Sequence, residues 1–518
     1  MSEESRAPLR ERWDSRTAFI FAAMGSAVGL GNLWRFPYIA GKHGGGAFLI
    51  PYFIALLTAG IPLLILEYGI GQMLQRGAPE ALGRIRKGFE WVGWWALAVG
   101  SMIAFYYAAV MAWCWDYLWY SLKALTNGAT VPWAADAKGF FFGNVLHLSD
   151  GAWQLGGLSV PVLIGLVFTW VAVFLIIHRG LNVISKVVMV TVPLPVILLA
   201  VLLVRGLTLE GAEAGLAYYL TPRFEVLKNP EVWLDAYGQI FFSLSLGFGI
   251  MIAYASYEPR RSDVTNDAFI VSLGNCGTSF FAGFVVFSTL GYLAVLKGAS
   301  VAEVAAGGPA LAFIVYPEAI ARMPAAVALI GVLFFLALLT LGIDSLFSIV
   351  EAIITGIHDR WPIGRDKITA AFCVVGFVVG LLYASHAGLY WLDIVDKFTN
   401  SFGLAAVGLV ECIVVGWLYK TGRLRQWLNS VSEIRIGVWW EVCIKVLTPM
   451  VLITTLVLSL WKLLSSPYEG YPQSALIVGG WGVAVGTIVV GVLVALVPGR
   501  AVAAEEPGVE VPAGTEDA

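Results

Sequence analysis

The sequence predicts an all-α polytopic membrane protein with twelve transmembrane helices, built as a 5+5 inverted repeat with discontinuous helices 1 and 6 plus two accessory helices. Three observations carry that expectation. The 518 residues are 59% hydrophobic and 13% charged, with mean hydropathy +0.80 and repeated apolar stretches of the length that crosses a bilayer. The run Gly25–Pro37, GSAVGLGNLWRFP, puts Gly25, Gly29, Gly31, Asn32 and Arg35 where a spanning helix should be uninterrupted and uncharged. A second run, Gln239–Gly249 (QIFFSLSLGFG), sets serines and two glycines in mid-membrane five spans later. Non-helical backbone at that depth is tolerated only when it is buried in protein or lines a watery cavity. Matched interruptions in two five-span halves are the pattern of an inverted-repeat transporter.

Taken in order, the spans are expected to begin near residues 17, 46, 94, 158, 184, 232, 268, 325, 368, 391, 439 and 475. Residues 1–16 form a basic leading segment with Arg6, Arg10, Arg12 and Arg16. Residues 17–207 form the first repeat, spans 1–5. Residues 208–425 form the second, spans 6–10, of opposite orientation because five is odd. Residues 426–499 hold the accessory spans 11–12, and the small, acidic tail 500–518 reads as disordered. Basic residues crowd alternate loops: Arg76, Arg84, Arg86 and Lys87 after span 2, Arg179 and Lys186 after span 4, Arg260 and Arg261 after span 6. Arg360, Arg365 and Lys367 follow span 8, and Lys420, Arg423 and Arg425 follow span 10. The positive-inside rule then predicts a protein of the plasma (inner) membrane with both termini cytoplasmic. Between spans 7 and 8, residues 297–324 are amphipathic and punctuated by Gly307, Gly308, Pro309 and Pro317. They suit a helical hairpin lying as a lid on the extracellular surface, which an ordinary structured loop would also satisfy.

Several classes are excluded. Net charge is −3, so nothing suggests nucleic acid; lipid is the expected surroundings. No cleavable signal peptide is evident, because the first apolar stretch is too long. Cys114, Cys276, Cys373, Cys412 and Cys443 all fall in predicted spans, which argues against a disulfide framework or a thiol metal site. The five histidines lie singly in loops or at span ends and read as incidental. No nucleotide-binding or hydrolase motif is present, so the chain is not expected to be an enzyme.

Each break has a plainer reading. Gly25 and Gly29 are four apart and could form a small-residue packing face, although two matched breaks with polar neighbours weigh against it. Asp344 stands in the apolar run VLFFLALLTLGIDSLFSIV. A carboxylate there is functional by default, with sodium its natural counter-ion; a proton-carrying or merely structural aspartate is the alternative.

The chain resembles the neurotransmitter:sodium symporter family, which contains the bacterial leucine transporter and animal transporters for amino acids and monoamines. The likeness runs from about Arg10 to the end of span 12. It rests on RERW (Arg10–Trp13), GSAVGLGNLWRFPY, GGGAFLIPY (Gly44–Tyr52), QIFFSLSLGFG and NCGTSFFAGF (Asn275–Phe284), with GPALAFIVYPEAI and LTLGIDS (Leu339–Ser345). The resemblance implies two sodium sites. One takes the Ala27 carbonyl, Asn32, Ser243, Asn275 and the substrate's own carboxylate. The other takes carbonyls of Gly25, Val28 and Leu341 with the side chains of Asp344 and Ser345. A carboxylate shared between ion and substrate couples their binding reciprocally.

The resemblance also bears on chloride. Chloride-independent bacterial relatives carry a carboxylate four residues after the span 7 asparagine, whereas here that position is Ser279, as in the chloride-dependent animal members. The implied cage is Tyr52, Gln239, Ser243 and Ser279, with Asn275 beside it. Two sodium ions, one Asp344 carboxylate and a zwitterionic substrate leave one positive charge in low dielectric, which chloride would relieve. A packing hydroxyl with water as the screen is the alternative. The substrate pocket implied is Ala27, Gly29, Leu30, Gly31, Ile103, Tyr107, Phe242, Ser243, Ser245, Phe248, Ser345 and Ile349. Its side-chain end is apolar, and Gly29 stands where monoamine carriers have aspartate, so the resemblance points to a neutral amino acid. Arg35 and Asp396, with Tyr107 and Phe242, resemble an extracellular gate; Asp396 precedes Glu411 at the family's interval. Arg10 and Asp359, with Trp13, Ser256 and Tyr257, resemble a cytoplasmic gate. The expected function is a sodium-coupled, chloride-dependent symporter working by alternating access. A chloride-independent symporter and a sensor or channel of the same fold are the alternatives.

Overall fold

The computed structural model describes residues 10–419 and 421–499, so Lys420 and the expectations for residues 1–9 and 500–518 lie outside the described residues. Among the described residues, ten continuous helices are long and apolar enough to cross a membrane: Gly45–Leu74, Glu90–Asn127, Val160–Ile177, Leu181–Leu207, Val264–Lys297, Val327–Arg360, Arg365–Ala384, Gly388–Leu418, Val438–Gly470 and Gln473–Leu496. An eleventh is the bent pair Arg16–Ala27 and Leu30–Lys42, whose axes meet at 52°. Pro230–Ser243 and Ile250–Ala255 supply the twelfth as two short helices. Every span starts within four residues of its expected position. The chain is an integral membrane protein.

Spans 2, 3, 7 and 8 are mostly buried, while spans 4, 5, 9, 11 and 12 turn most of their surface outward. The broken spans sit inside this shell. Close approach there depends on small residues. A methyl built on Gly71 of span 2 would stand 2.1 Å from the Ile252 carbonyl oxygen, so only glycine lets span 2 lie against the second half of span 6, Ile250–Ala255.

The two interruptions are built differently. In span 1 the helix runs to Ala27, Val28 and Gly29 are extended, and the helix resumes at Leu30. The break is therefore narrower than the Gly25–Pro37 signal, and Pro37 lies inside the second helix. The Gly29 amide donates to Asn32 Oδ1 at 3.0 Å, so Asn32 caps the new helix. In span 6 the break is longer and left-handed: Ser245, Gly247 and Gly249 have φ of +54°, +78° and +74°. Glycine takes that conformation freely, but serine pays strain for it, a cost usually met at functional sites.

Some expectations are corrected. Lys297 ends span 7, and the segment expected as a hairpin holds two short helical pieces, Val301–Val304 and Gly308–Ala321. Short loop helices at Ala78–Ile85, Ala212–Leu220 and Thr421–Val431 went unforeseen, being too polar or too short to register as spans. The histidines are not all isolated. His147 and His386 stack at 5.5 Å, and His43 is bonded to Asp235, because the fold joins loops that are far apart in sequence. All five cysteines are free and buried.

Candidate functional site

The breaks of spans 1 and 6 face spans 3 and 8 across a cavity of about 530 Å³. All twelve residues expected to form the substrate pocket line it, from Ala27 and Gly29 through Tyr107 and Phe242 to Ile349. A methyl built on Gly29 would stand 2.7 Å from Ser345 Oγ and 3.6 Å from the Tyr107 hydroxyl. Those two hydroxyls therefore border the Leu30 end of the second half-helix, whose free amides favour an anionic group. Ile103, Phe248 and Ile349 are buried and apolar and offer a charged side chain no partner.

Three groups of buried polar atoms bear on the expected ion sites, and Asn32, Ser243, Ser245 and Ser345 among them line the cavity. In the first, Asn32 Nδ2 donates to Asn275 Oδ1 at 2.8 Å and to Ser279 Oγ at 2.7 Å, and Asn275 Nδ2 donates to Ser243 Oγ at 2.9 Å. In the second, Ser345 Oγ donates toward the Gly25 and Ser26 carbonyls at 3.4 and 3.2 Å, and Ser245 Oγ to the Ser26 carbonyl at 3.0 Å. Asp344 joins that group: its Oδ2 lies 2.9 Å from where a Gly25 methyl would be, and its Oδ1 is buried without a hydrogen-bond partner. A carboxylate beside carbonyls and a hydroxyl is a donor set for a small hard cation. The third group is neutral. The Tyr52 hydroxyl and both polar atoms of the Gln239 amide are buried without hydrogen-bond partners. Each such orphan costs about 1–3 kcal/mol, a cost that a bound anion or water would offset.

The two expected gates differ. At the basic end, among residues that do not line the cavity, Arg10 Nη1 donates to Asp359 Oδ1 at 2.7 Å and Nη2 to Ser256 Oγ at 2.7 Å, with the guanidinium 4.8 Å from the Tyr257 ring centre. Trp13 is buried and donates to the Tyr254 carbonyl at 2.9 Å. Burial alone would lower the Arg10 pKa, but Asp359 outweighs it and raises it. Two residues after Ser256, burial pushes the Glu258 carboxyl up to about 7. At the other end Arg35 and Asp396 both line the cavity, yet they form no ion pair. Asp396 instead accepts from Tyr106 at 2.6 Å and Asn400 at 2.7 Å, and Arg35 lies over the Phe242 ring at 5.2 Å. The cavity continues past them to Gly307–Pro309 and to Tyr471. The structure thus joins the expected pair at the basic end and separates the expected pair at the other.

Sequence reasoning missed several groups. The Gly247 amide donates to Glu67 Oε1 at 2.8 Å, so a buried carboxyl of span 2 steadies the left-handed turn of span 6. Glu411 is buried near it. Arg365 and Glu351 form an ion pair at 2.5 Å beneath Tyr257. The signal was available, since Glu67 and Glu351 are carboxylates inside apolar runs, like Asp344.

Truncating the Arg10 side chain in Arg10→Ala leaves Asp359 buried and unpaired, a loss of about 3–5 kcal/mol for a buried pair. The expected result is slower uptake and faster reaction of a Ser256→Cys thiol with reagent applied at the basic face. Unchanged labelling would mean that this ion pair does not close that end.

Comparison with known proteins gives concordant matches. A family model described as the sodium:neurotransmitter symporter family matches residues 10–138 and 124–500. An uncharacterized sodium-dependent transporter of Methanocaldococcus jannaschii is 43% identical over 471 residues, 91% of this chain and 94% of the relative. The sodium-dependent dopamine transporter of Caenorhabditis elegans is 34% identical over 92% of this chain and 85% of its own length. The sodium- and chloride-dependent taurine transporter of the dog is 34% identical over 94% of this chain and 84% of its own.

Proposed function

Because the chain belongs to the sodium:neurotransmitter symporter family and is a sodium-dependent symporter, not an enzyme, we propose that it imports a neutral amino acid together with two sodium ions and one chloride. The observation that carries this reading is the Asp344 carboxylate lying against Gly25 at the span 1 break, together with Asn32 donating to Asn275 and Ser279.

In this reading the substrate carboxylate meets the Leu30–Gly31 amides and the Tyr107 hydroxyl. It also completes a sodium site with the Ala27 carbonyl, Asn32, Ser243 and Asn275. The ammonium is held by carbonyls near Phe242, Ser243 and Ser245, and the side chain lies among Ile103, Phe248 and Ile349. The second sodium sits with Gly25, Val28, Leu341, Asp344 and Ser345. The two repeats, 17–207 and 208–425, supply one broken helix each, and both termini are cytoplasmic. With Arg10–Asp359 joined and Arg35–Asp396 apart, the structure is read as open to the outside. Binding then draws Arg35 to Asp396 over the substrate, and opening of the cytoplasmic pair releases it. Each net charge moved inward gains about 2.3 kcal/mol per 100 mV of membrane potential.

Relatives that carry taurine or dopamine favour a small substrate with an amine. Here Gly29 offers no carboxylate to that amine, which favours a substrate bringing its own acid group. The test is thermal stability of the purified protein against a panel of amino acids in sodium chloride, sodium gluconate and potassium chloride. A ligand that binds only the folded state stabilises by RT ln(1 + [L]/Kd). Neutral amino acids are expected to stabilise in sodium chloride alone. Equal stabilisation in gluconate would remove chloride, and stabilisation by amines or taurine alone would remove the amino acid.

A further inference from the structure

The outer halves of spans 1 and 6 run antiparallel: Leu30–Lys42 leaves the mid-membrane break, and Pro230–Ser243 returns to it. They touch at two levels. Near the break Arg35 lies over the Phe242 ring at 5.2 Å. At the far end His43 Nε2 and Asp235 Oδ2 are 2.6 Å apart, with His43 4% exposed and its ring stacked on Phe48. Arg35 and His43 are eight residues apart, and Asp235 and Phe242 seven. Both spacings are close to two helical turns, about 11 Å, so one face of each helix serves both levels.

We propose that the His43–Asp235 bond is a clasp that makes the two outer half-helices close as one body, so that Arg35 and Phe242 arrive over the substrate together. His43 is then a positioning residue for the gate. The inference rests on the gating reading above and adds to it a part that no expected gate residue supplies.

Magnitudes favour His43 over its neighbours as the fastener. Lys42 also approaches this carboxylate face, at 3.6 Å from Glu231 and 4.0 Å from Asp235, but its side chain is 45% exposed. Exposed pairs of that kind are worth about 0–1 kcal/mol. Arg35 and Lys397 act on Asp235 only at longer range, and Arg223 is engaged with the Gly41 carbonyl at 2.9 Å. The imidazole side of this 2.6 Å bond is buried and stacked on Phe48, although Asp235 itself is 37% exposed, so the His43 end is held without competition from water.

The experiment uses the full chain in proteoliposomes carrying Leu389→Cys, a residue that lines the cavity; the five natural cysteines are buried. An impermeant thiol reagent is added outside, with and without sodium and the substrate found by the stability panel. In the parent, sodium plus substrate slows labelling. His43→Ala is expected to lower kcat and weaken that protection by about tenfold, the scale of one lost bond to a charged group. Asp235→Ala should do the same, and the double variant no more. His43→Gln, which keeps a donor, should restore most of both. Wild-type turnover and protection in His43→Ala would overturn the clasp, as would effects that multiply in the double variant. If His43→Ala loses the sodium-dependent thermal shift and so fails to fold, Asp235→Asn gives the same readings with the shape preserved. If the parent takes up no amino acid, the proposed substrate has failed, and labelling with sodium alone still tests the clasp.

Discussion

Asp344→Asn abolishes sodium-driven uptake while leaving the protein folded. The exchange keeps the shape and removes the charge from a buried site where Oδ1 has no other partner and Oδ2 lies against Gly25. A cation held there by carbonyls and a hydroxyl alone loses its charged ligand. The loss is expected to be about 3 kcal/mol or more, which is a hundredfold or greater drop in sodium affinity. Because sodium and substrate are linked, substrate affinity falls as well, and the fall should be recovered in part at very high sodium. Thermal stability without sodium separates this from misfolding: the variant should melt at or above the wild-type temperature, since an uncompensated buried charge has gone. Wild-type-like uptake would remove Asp344 from the coupling and return it to a structural role.

Ser279→Glu is expected to free transport from chloride. Ser279 Oγ accepts from Asn32 Nδ2 at 2.7 Å, and Asn32 is held to Asn275, which donates to Ser243. A carboxylate at this position stands beside the neutral Asn32 amide and, in the proposed cage, the Tyr52 hydroxyl and Gln239 amide, which are buried without hydrogen-bond partners. It supplies from the protein the negative charge that chloride is proposed to bring. Uptake in sodium gluconate should rise from near background to the level seen in chloride, a change of about tenfold or more, because one uncompensated charge in low dielectric costs several kcal/mol. Chloride dependence that persists in Ser279→Glu would place the anion elsewhere. Chloride-independent wild-type uptake would support water as the screen.

The spans were legible in the sequence because hydrophobic length is a local property that the bilayer enforces, and each start fell within four residues of its expected place. Both breaks were legible for the same reason: glycines, serines and Asn32 conflict with their surroundings wherever the rest of the chain lies. The pocket residues were named only through family register, since Ile103, Phe248 and Ile349 look like any buried apolar residue. Glu67 and Glu351 carried a usable signal that went unread. His43, Tyr106 and Asn400 carried none, because a polar residue near a span end reveals a partner only when the fold supplies one.

The sequence by itself determined the solvent of this protein, the number of its crossings and the points where two helices must fail. Those follow from residue hydropathy and backbone propensity, which act over one helix at a time. Tertiary structure decided what the failures are for. It brought Asp344 of span 8 against Gly25 of span 1, bonded Asn32 of span 1 to Asn275 and Ser279 of span 7, and joined Arg10 to Asp359 while leaving Arg35 apart from Asp396. Pairings of this kind depend on distances between residues hundreds of positions apart. They are fixed only when packing chooses one arrangement of the helices, and a symporter must keep two such arrangements close in free energy.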